Sequence, residues 1–138
     1  MSEQKNTRLS LKRLEAQRFR SLYDVSLELK PINIFIGPNG SGKSNPIALF
    51  RFLYDMVTDP IADRRYRPRA RDLVWYGQEG GEEVREFQAT FFLERPDGHT
   101  LCYDVEVDSN LTFRKEVISG PGGVSLARTR DRLDLQIA

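Results

Sequence analysis

The sequence predicts an α/β fold in which an antiparallel β-lobe stands beside a strand–loop–helix unit, and three observations predict it. Apolar and polar residues alternate over short runs in the first thirty residues and again after residue 84, the period of strands with one buried face. Between these regions, a nearly continuous apolar run, Ile32, Ile34, Phe35 and Ile36 around Asn33, stands directly before a glycine-rich stretch. After that stretch the apolar positions switch to helical spacing, at Ile47, Leu49, Phe50, Leu53, Tyr54 and Val57.

Taken in order, the run LSLKRLEAQ, a polar FRS corner, and Val25, Leu27 and Leu29 separated by Ser26 and Glu28 predict two strands. Lys30 and Pro31 punctuate. Residues 32–36 read as a central strand covered on both faces, because their apolarity does not alternate. Residues 37–45 are too rich in glycine for a regular element, and 46–57 form an amphipathic helix. Residues 59–72 carry two prolines and five arginines without periodicity, so a solvated connector is expected. Past Trp75, Tyr76 and Gly77, the runs VREFQATFFLE, TLCYDVEVD and LTFRKEVIS predict a meander with turns at Asp97-Gly98 and Ser109-Asn110. The remainder offers a glycine turn and one more short strand, with no capping or stop signal, as expected of a chain cut off mid-fold. Three regions follow: 1–58 with the first strands, the glycine loop and its helix; 59–72, the Arg-rich connector; and 73–138, the antiparallel lobe.

The chain has 138 residues, with 21 Lys+Arg against 20 Asp+Glu and a net charge of +1. That length allows one modest core, and that balance removes a whole-protein electrostatic case for nucleic acid or an anionic membrane. Hydrophobic residues at 39% and charged residues at 30% indicate a folded chain with a small core. Cys102 alone excludes an internal disulfide framework and a Cys-rich zinc site, and fits a reducing compartment. The start, MSEQKNTRLSLKR, has no apolar core of a signal peptide, and no stretch approaches 18 apolar residues. A cytoplasmic protein without membrane contact is expected.

The chemistry-bearing motif is Gly37, Pro38, Asn39, Gly40, Ser41, Gly42, Lys43 and Ser44, which satisfies G-x-x-x-x-G-K-[ST] in full. Such a loop must wrap a triphosphate with its backbone N–H groups turned inward, and glycine permits both the positive φ angles and the close approach. Lys43 would set a cation against the β- and γ-phosphates, Ser44 would offer its hydroxyl to Mg²⁺, and the following helix would present its positive end. Pro46 falls in the first helical turn, where a missing N–H costs little. It is expected to weaken nucleotide binding without abolishing it.

Hydrolysis also needs an acidic Mg²⁺ ligand and a group that orients water. No run of four apolar residues precedes an Asp-Glu pair. The nearest matches, ending at Asp104 and Glu94, sit in alternating strands, which leaves Asp104 a weak metal candidate. Neither Asp-x-x-Gly nor Asn-Lys-x-Asp occurs, so guanine specificity is unsupported. Two strands before the loop also set the chain apart from small-molecule kinases.

The stretch LEAQRFRSLYDVSLELKPINIFIGPNGSGKSN resembles the N-terminal segment of the RecF/SMC-like and OLD-like ATPases, whose heads are of the ABC type and are grouped with AAA-family ATPases. The resemblance covers residues 9 to about 58 closely and 73–119 more loosely. It implies the N-terminal lobe of a P-loop NTPase-type head that binds ATP and Mg²⁺, with two heads sandwiching two nucleotides, as a homodimer or with a partner joined through the head. In that family the second half of the head supplies the signature serine loop, the Mg²⁺-binding aspartate with its catalytic glutamate, and a switch histidine. None of these is matched here, so the lobe is incomplete relative to the full head. ATP binding is expected, with hydrolysis only if the other half is supplied, and no catalytic residue is assigned. The resemblance also places Asn45 at the asparagine that commonly follows the loop, and Arg20 at a basic residue that can approach the phosphates. Gln78, Gln88 and Gln136 lack the context of the family's Mg²⁺-coupling glutamine. Residues 118–123 read as a turn rather than a signature loop, because Pro121 interrupts them. The resemblance implies DNA repair, phage defence or another pathway, and the motif does not separate them.

Arg64, Arg65, Arg67, Arg69 and Arg71, interleaved with Tyr66, form the one basic cluster, which carries an alternative reading. Arginine with an aromatic side chain can hold DNA by phosphate contact and stacking, so the chain could be a non-enzymatic nucleic-acid or protein interaction module with a vestigial phosphate loop. Asp59, Asp63 and Asp72 temper that cluster, and a steep salt dependence would be its mark. His99 reads as a turn residue, and Trp75 with Tyr76 as packing. A third expectation is a lobe stable only against its missing half, with apolar surface left exposed.

Overall fold

The computed structural model describes residues 8–59, 61–123, 125–129 and 132–136. Two strands, Ser10–Phe19 (β1) and Leu22–Glu28 (β2), pair across the corner at Arg20 and Ser21. The helix Asn45–Thr58 (α1) follows the glycine loop, and a five-residue helix, Ala62–Tyr66 (α2), runs into a 3₁₀ segment, Arg67–Leu73. A short hairpin, Gln78–Glu79 (β3) with Glu82–Glu83 (β4), precedes the long strands Glu86–Glu94 (β5), Thr100–Asp108 (β6) and Phe113–Ser119 (β7). Ser125–Thr129 (β8) and Arg132–Gln136 (β9) complete a seven-stranded sheet of order β2-β1-β5-β6-β7-β8-β9, in which every neighbouring pair is antiparallel.

Period-two patterning becomes a sheet with one dry face. Leu14 lies opposite Leu27 and Phe91, Ala16 opposite Val25 and Ala89, and Phe87 opposite Val107. The alternate positions Glu15, Ser26, Thr90 and Asp104 form one row of the other face, and Gln17, Asp24, Gln88 and Glu106 form the next. Helix α1 packs on the apolar face, where Leu49, Phe52 and Leu53 are buried. Phe52 meets Phe87 edge to face at 5.8 Å between ring centroids, and Phe50 meets Phe91 at 5.7 Å. Truncating a buried Phe in such a position typically costs about 3–5 kcal/mol, so these rings fix where the helix sits. No helix among the described residues is long and apolar enough to cross a membrane.

Three expectations are corrected. Residues 32–36 are not a covered central strand: they belong to no strand, and Ile32, Ile34 and Ile36 are 81%, 80% and 92% exposed. The physical reason is local and topological. The Asn33 amide donates to Lys30 O (2.6 Å) and its oxygen accepts from Lys30 N–H (3.0 Å), which bends the chain there, and no described strand lies alongside to supply a ladder. The connector is helical rather than irregular. Ala62, Ala70 and Leu73 are buried, the Tyr66 ring packs edge to face on Phe52 at 5.0 Å, and its hydroxyl donates to Asp55 (2.7 Å). Small alanines and one aromatic anchor the segment, a pattern too sparse to register as periodicity. After the glycine turn at Pro121–Gly123 there are two strands, β8 and β9, instead of one.

The β6–β7 turn is built on Asp108, the sole buried charged residue among those described. One carboxylate oxygen accepts from the N–H groups of Asn110 and Thr112 (2.9 Å each), the other from Arg114 Nε (2.7 Å), and Leu111 takes a left-handed φ of 61°. Burial by itself would raise the Asp108 pKa, but those hydrogen bonds and the Arg114 charge together hold it below 3.8. The folded-state pKa is thus depressed, so this stabilisation is fully present above the ordinary carboxylate range and is lost as pH falls through the folded value. Asp108→Ala should lower the unfolding free energy by about 2–3 kcal/mol in denaturant titrations at neutral pH. The difference from the wild-type chain should shrink below pH 4.

Candidate functional site

The glycine loop leaves the exposed segment 32–36 and enters α1 without a break. Gly40 and Gly42 both adopt left-handed φ angles, 80° and 85°, the backbone requirement that the motif's glycines imply. Ser41 N–H bonds to Pro38 O (3.2 Å) and Asn45 N–H to Gly42 O (2.9 Å), closing two tight turns. Among the described residues the N–H groups of Gly40, Gly42, Lys43 and Ser44 have no intramolecular acceptor. Lys43 Nζ reaches back across the loop to Pro38 O at 2.9 Å. Ser44 stands at the N-cap of α1 with its hydroxyl unused in capping, and Pro46 lies in the first turn, where donors have no intrahelical partner. A cavity of about 500 Å³ flanks the loop, walled by Leu22, Val25 and Leu27 of β2 and by Ile34, Phe35 and Ile36.

What holds the loop against the sheet is the corner between β1 and β2. Asn45 Nδ2 donates to Ser21 Oγ at 2.6 Å. Gly42 packs so closely on the same hydroxyl that a Cβ at position 42 would stand 2.4 Å from Ser21 Oγ. Arg20, by contrast, is exposed: its guanidinium carbon lies 5.7 Å from the Phe19 ring centroid and its N–H bonds to Leu73 O (3.0 Å). Arg18 and Arg20 both have left-handed backbones, φ 60° and 50°, a conformation that costs a non-glycine residue about 1–2 kcal/mol. Ser21 was not singled out from sequence. Its only signal is a hydroxyl at the end of the FRS corner, since its partners lie more than twenty positions away.

The corner is also tied to the segment that follows the 3₁₀ turn. Trp75 N–H bonds to Arg18 O (2.7 Å), Phe19 bridges Val74, and the Tyr23 ring lies 4.6 Å from the Trp75 ring. Hydrogen bonding to Glu79 raises the Tyr23 pKa above its ordinary value, and Glu79 in turn pairs with Arg18 at 3.1 Å. Trp75 therefore packs, whereas Tyr76 is exposed, its hydroxyl donating to Asp72 (2.8 Å) and its ring lying under Arg71 at 4.4 Å.

The other candidates fall elsewhere. Asp104 projects from the polar face of the sheet, opposite the face that carries α1, and pairs there with Lys115 (2.6 Å) and Thr90 (3.1 Å). It lines a polar hollow of about 480 Å³ with Glu15, Gln17, Asp24 and Gln88. The metal role considered for it has no support from this placement. No group of three or more His, Cys, Asp or Glu among the described residues could hold a metal ion. His99 sits in the β5–β6 turn, its N–H and ring both directed to Asp97. In the arginine cluster, Arg65 pairs with Asp59 (2.7 Å), Arg67 with Asp63 (2.7 Å) and Arg71 with Glu83 (2.8 Å). Arg64 and Arg69 remain exposed with no ion pair among the described residues. Tyr66, held by Phe52 and Asp55, has its ring engaged in the core.

This arrangement of sheet, glycine loop and helix has a counterpart among solved structures. A solved structure from work on ATP-driven dimerisation and DNA-stimulated activation of SMC ATPases superposes with a TM-score of 0.61, at 18% sequence identity, covering 87% of this chain and 72% of that one. In sequence, 34 residues, 25% of the chain, are 50% identical to an OLD nuclease of Thermus scotoductus (strain ATCC 700910 / SA-01). That match spans 6% of the nuclease's length. No protein-family model matches the chain. The chain thus has the fold of an SMC-type ATPase and a short stretch of close sequence similarity to an OLD nuclease.

Gly77 lies under the Trp75 ring, where an added Cβ would stand 1.9 Å from the nearest ring carbon. Gly77→Ala should expel the indole from its place beside Tyr23. A red-shifted tryptophan emission and a lower denaturation midpoint are the expected readouts.

Proposed function

We propose that this chain is the nucleotide-binding lobe of an SMC/RecF/OLD-like ATPase head, and that its ligand is ATP with Mg²⁺. The observation that carries this reading is the loop itself. Two left-handed glycines, Gly40 and Gly42, and the Lys43 and Ser44 that follow carry backbone N–H groups without intramolecular acceptors, at the start of a fourteen-residue helix whose dipole favours an anion. Lys43, now bonded to a carbonyl of its own loop, would exchange that neutral acceptor for the β- and γ-phosphate oxygens. Ser44 would give its free hydroxyl to Mg²⁺, and the N–H groups of Gly40, Gly42, Lys43 and Ser44 would supply backbone donors. The fold shared with an SMC ATPase and the short similarity to an OLD nuclease support the same class.

Binding and hydrolysis separate on this lobe. Mg²⁺ bound at Ser44 would polarise the phosphates, but no Asp or Glu lines the cavity beside the loop or stands in the first turn of α1 to complete its coordination or to orient water. Hydrolysis therefore falls to groups brought by another part of a full head, on the same or a second polypeptide. The exposed row Ile32, Ile34 and Ile36 supports this, because a strand laid beside it would cover apolar surface that now faces water. Pairing of two such heads around nucleotide, and contact with DNA through Arg64 and Arg69, are further parts of this reading.

Isothermal titration of ATP with Mg²⁺ into the purified chain tests it. Saturable heat that disappears in Lys43→Ala, with the far-ultraviolet circular dichroism unchanged, is expected. Equal affinity in the two proteins would defeat the assignment.

A further inference from the structure

We propose that Ser21 is a positioning residue that couples the conformation of the glycine loop to the segment carrying Trp75. Its own side chain touches the loop, and neighbouring residues of the corner are bonded to that segment. On the loop side its hydroxyl accepts from Asn45 Nδ2 at 2.6 Å and fills the space beside Gly42. On the other side the chain that leads into it from β1 is bonded to the post-helical segment: Arg20 N–H donates to Leu73 O at 3.0 Å, and Arg18 O, three residues before Ser21, accepts from Trp75 N–H at 2.7 Å. Tyr23, two residues on, lies against the Trp75 ring. The corner is therefore short, doubly anchored and bent through two left-handed arginines, so displacement of Ser21 cannot be absorbed by slack within it. A change in the loop that moves Gly42 or Asn45 moves Ser21, and the bonds of Arg18 and Arg20 carry that movement to Trp75.

The loop's glycines supply an internal control. Gly40 and Gly42 have nearly the same left-handed backbone, yet a Cβ at 40 meets nothing within 4 Å, whereas one at 42 meets Ser21 Oγ. An alanine at either site strains the loop equally, but only the second pushes on the corner. Trp75 is the single tryptophan of the chain, so its emission reports the far end without labelling.

The first arm needs no ligand. Gly42→Ala should shift Trp75 emission, Gly40→Ala should not, and in a Ser21→Ala background Gly42→Ala should add no shift, because the atom it strikes is gone. Equal shifts from the two glycine variants, or a Gly42→Ala shift that persists without the hydroxyl, would overturn the proposal. Should Gly42→Ala fail to fold, Asn45→Ala removes the same bond from the loop side without a clash. It should match the emission of Ser21→Ala and add nothing in the double variant, and an additive shift would count against coupling. The second arm rests on the nucleotide-binding reading. ATP with Mg²⁺ should shift Trp75 emission in the wild-type chain but not in a Ser21→Ala protein that still binds by calorimetry. Binding without any shift in the wild type would overturn the coupling and leave the binding assignment standing. Absence of binding would overturn the assignment while the ligand-free arm still decides the coupling.

Discussion

Four aromatic rings, Phe19, Phe87, Phe52 and Tyr66, run edge to face through the core at centroid spacings of 5.0, 5.8 and 5.0 Å, and the position of every functional group depends on them. Phe19 ends β1, Phe87 is the second residue of β5, Phe52 is the buried middle of α1, and Tyr66 ends α2. The series therefore joins the corner, the sheet, the loop's helix and the connector in one contact path. Edge-to-face geometry is directional as well as apolar, which gives the helix a defined rotation on the sheet and not merely a hydrophobic resting place. With that rotation set, Asn45 at the start of α1 faces Ser21, and the glycine loop has one place to lie.

The division of the sheet into a dry and a wet face explains what is left over. Polar rows such as Glu15, Thr90 and Asp104 make one side predominantly polar, with Phe92 and Val117 among them, while α1 packs on the other. Ile118 and Leu126, opposite one another on β7 and β8, stay partly open on that apolar side, and the exposed isoleucines of residues 32–36 lie past the opposite edge strand β2. Uncovered apolar surface on both flanks of one helix is unusual for a soluble domain standing alone and suits a lobe that docks against further structure. The arginine cluster tells the opposite story: its charges are largely answered within a few residues by Asp59, Asp63 and Glu83.

Much of this was legible in the sequence, for identifiable reasons. Leu14 and Ala16, or Phe87, Ala89 and Phe91, alternate cleanly because the sheet has a single buried face, and the helical spacing from Leu49 to Leu53 is the stripe that packs. The phosphate-loop motif could be read directly because its chemistry resides in consecutive residues. Residues 32–36 misled because continuous apolarity reports what a segment can bury, whereas a strand also needs a neighbour. The helical connector was hidden because Ala62 and Ala70 are buried by being small. Ser21 was hidden because its importance arises only when a distant glycine is folded against it.

The pairing of β1 with β5 has a kinetic meaning. Each of the hairpins β1–β2 and β5–β6–β7 can form from residues close in sequence, but β1 meets β5 only after the whole intervening chain has been looped out. That intervening chain contains the glycine loop, α1, α2 and the 3₁₀ turn. Contacts between residues so far apart in sequence slow folding because chain entropy is lost before they reward it. Closure of the sheet is therefore a late step, and a substitution that weakens β1–β5 pairing would delay it while leaving the β1–β2 and β5–β6–β7 units to form at their own rates.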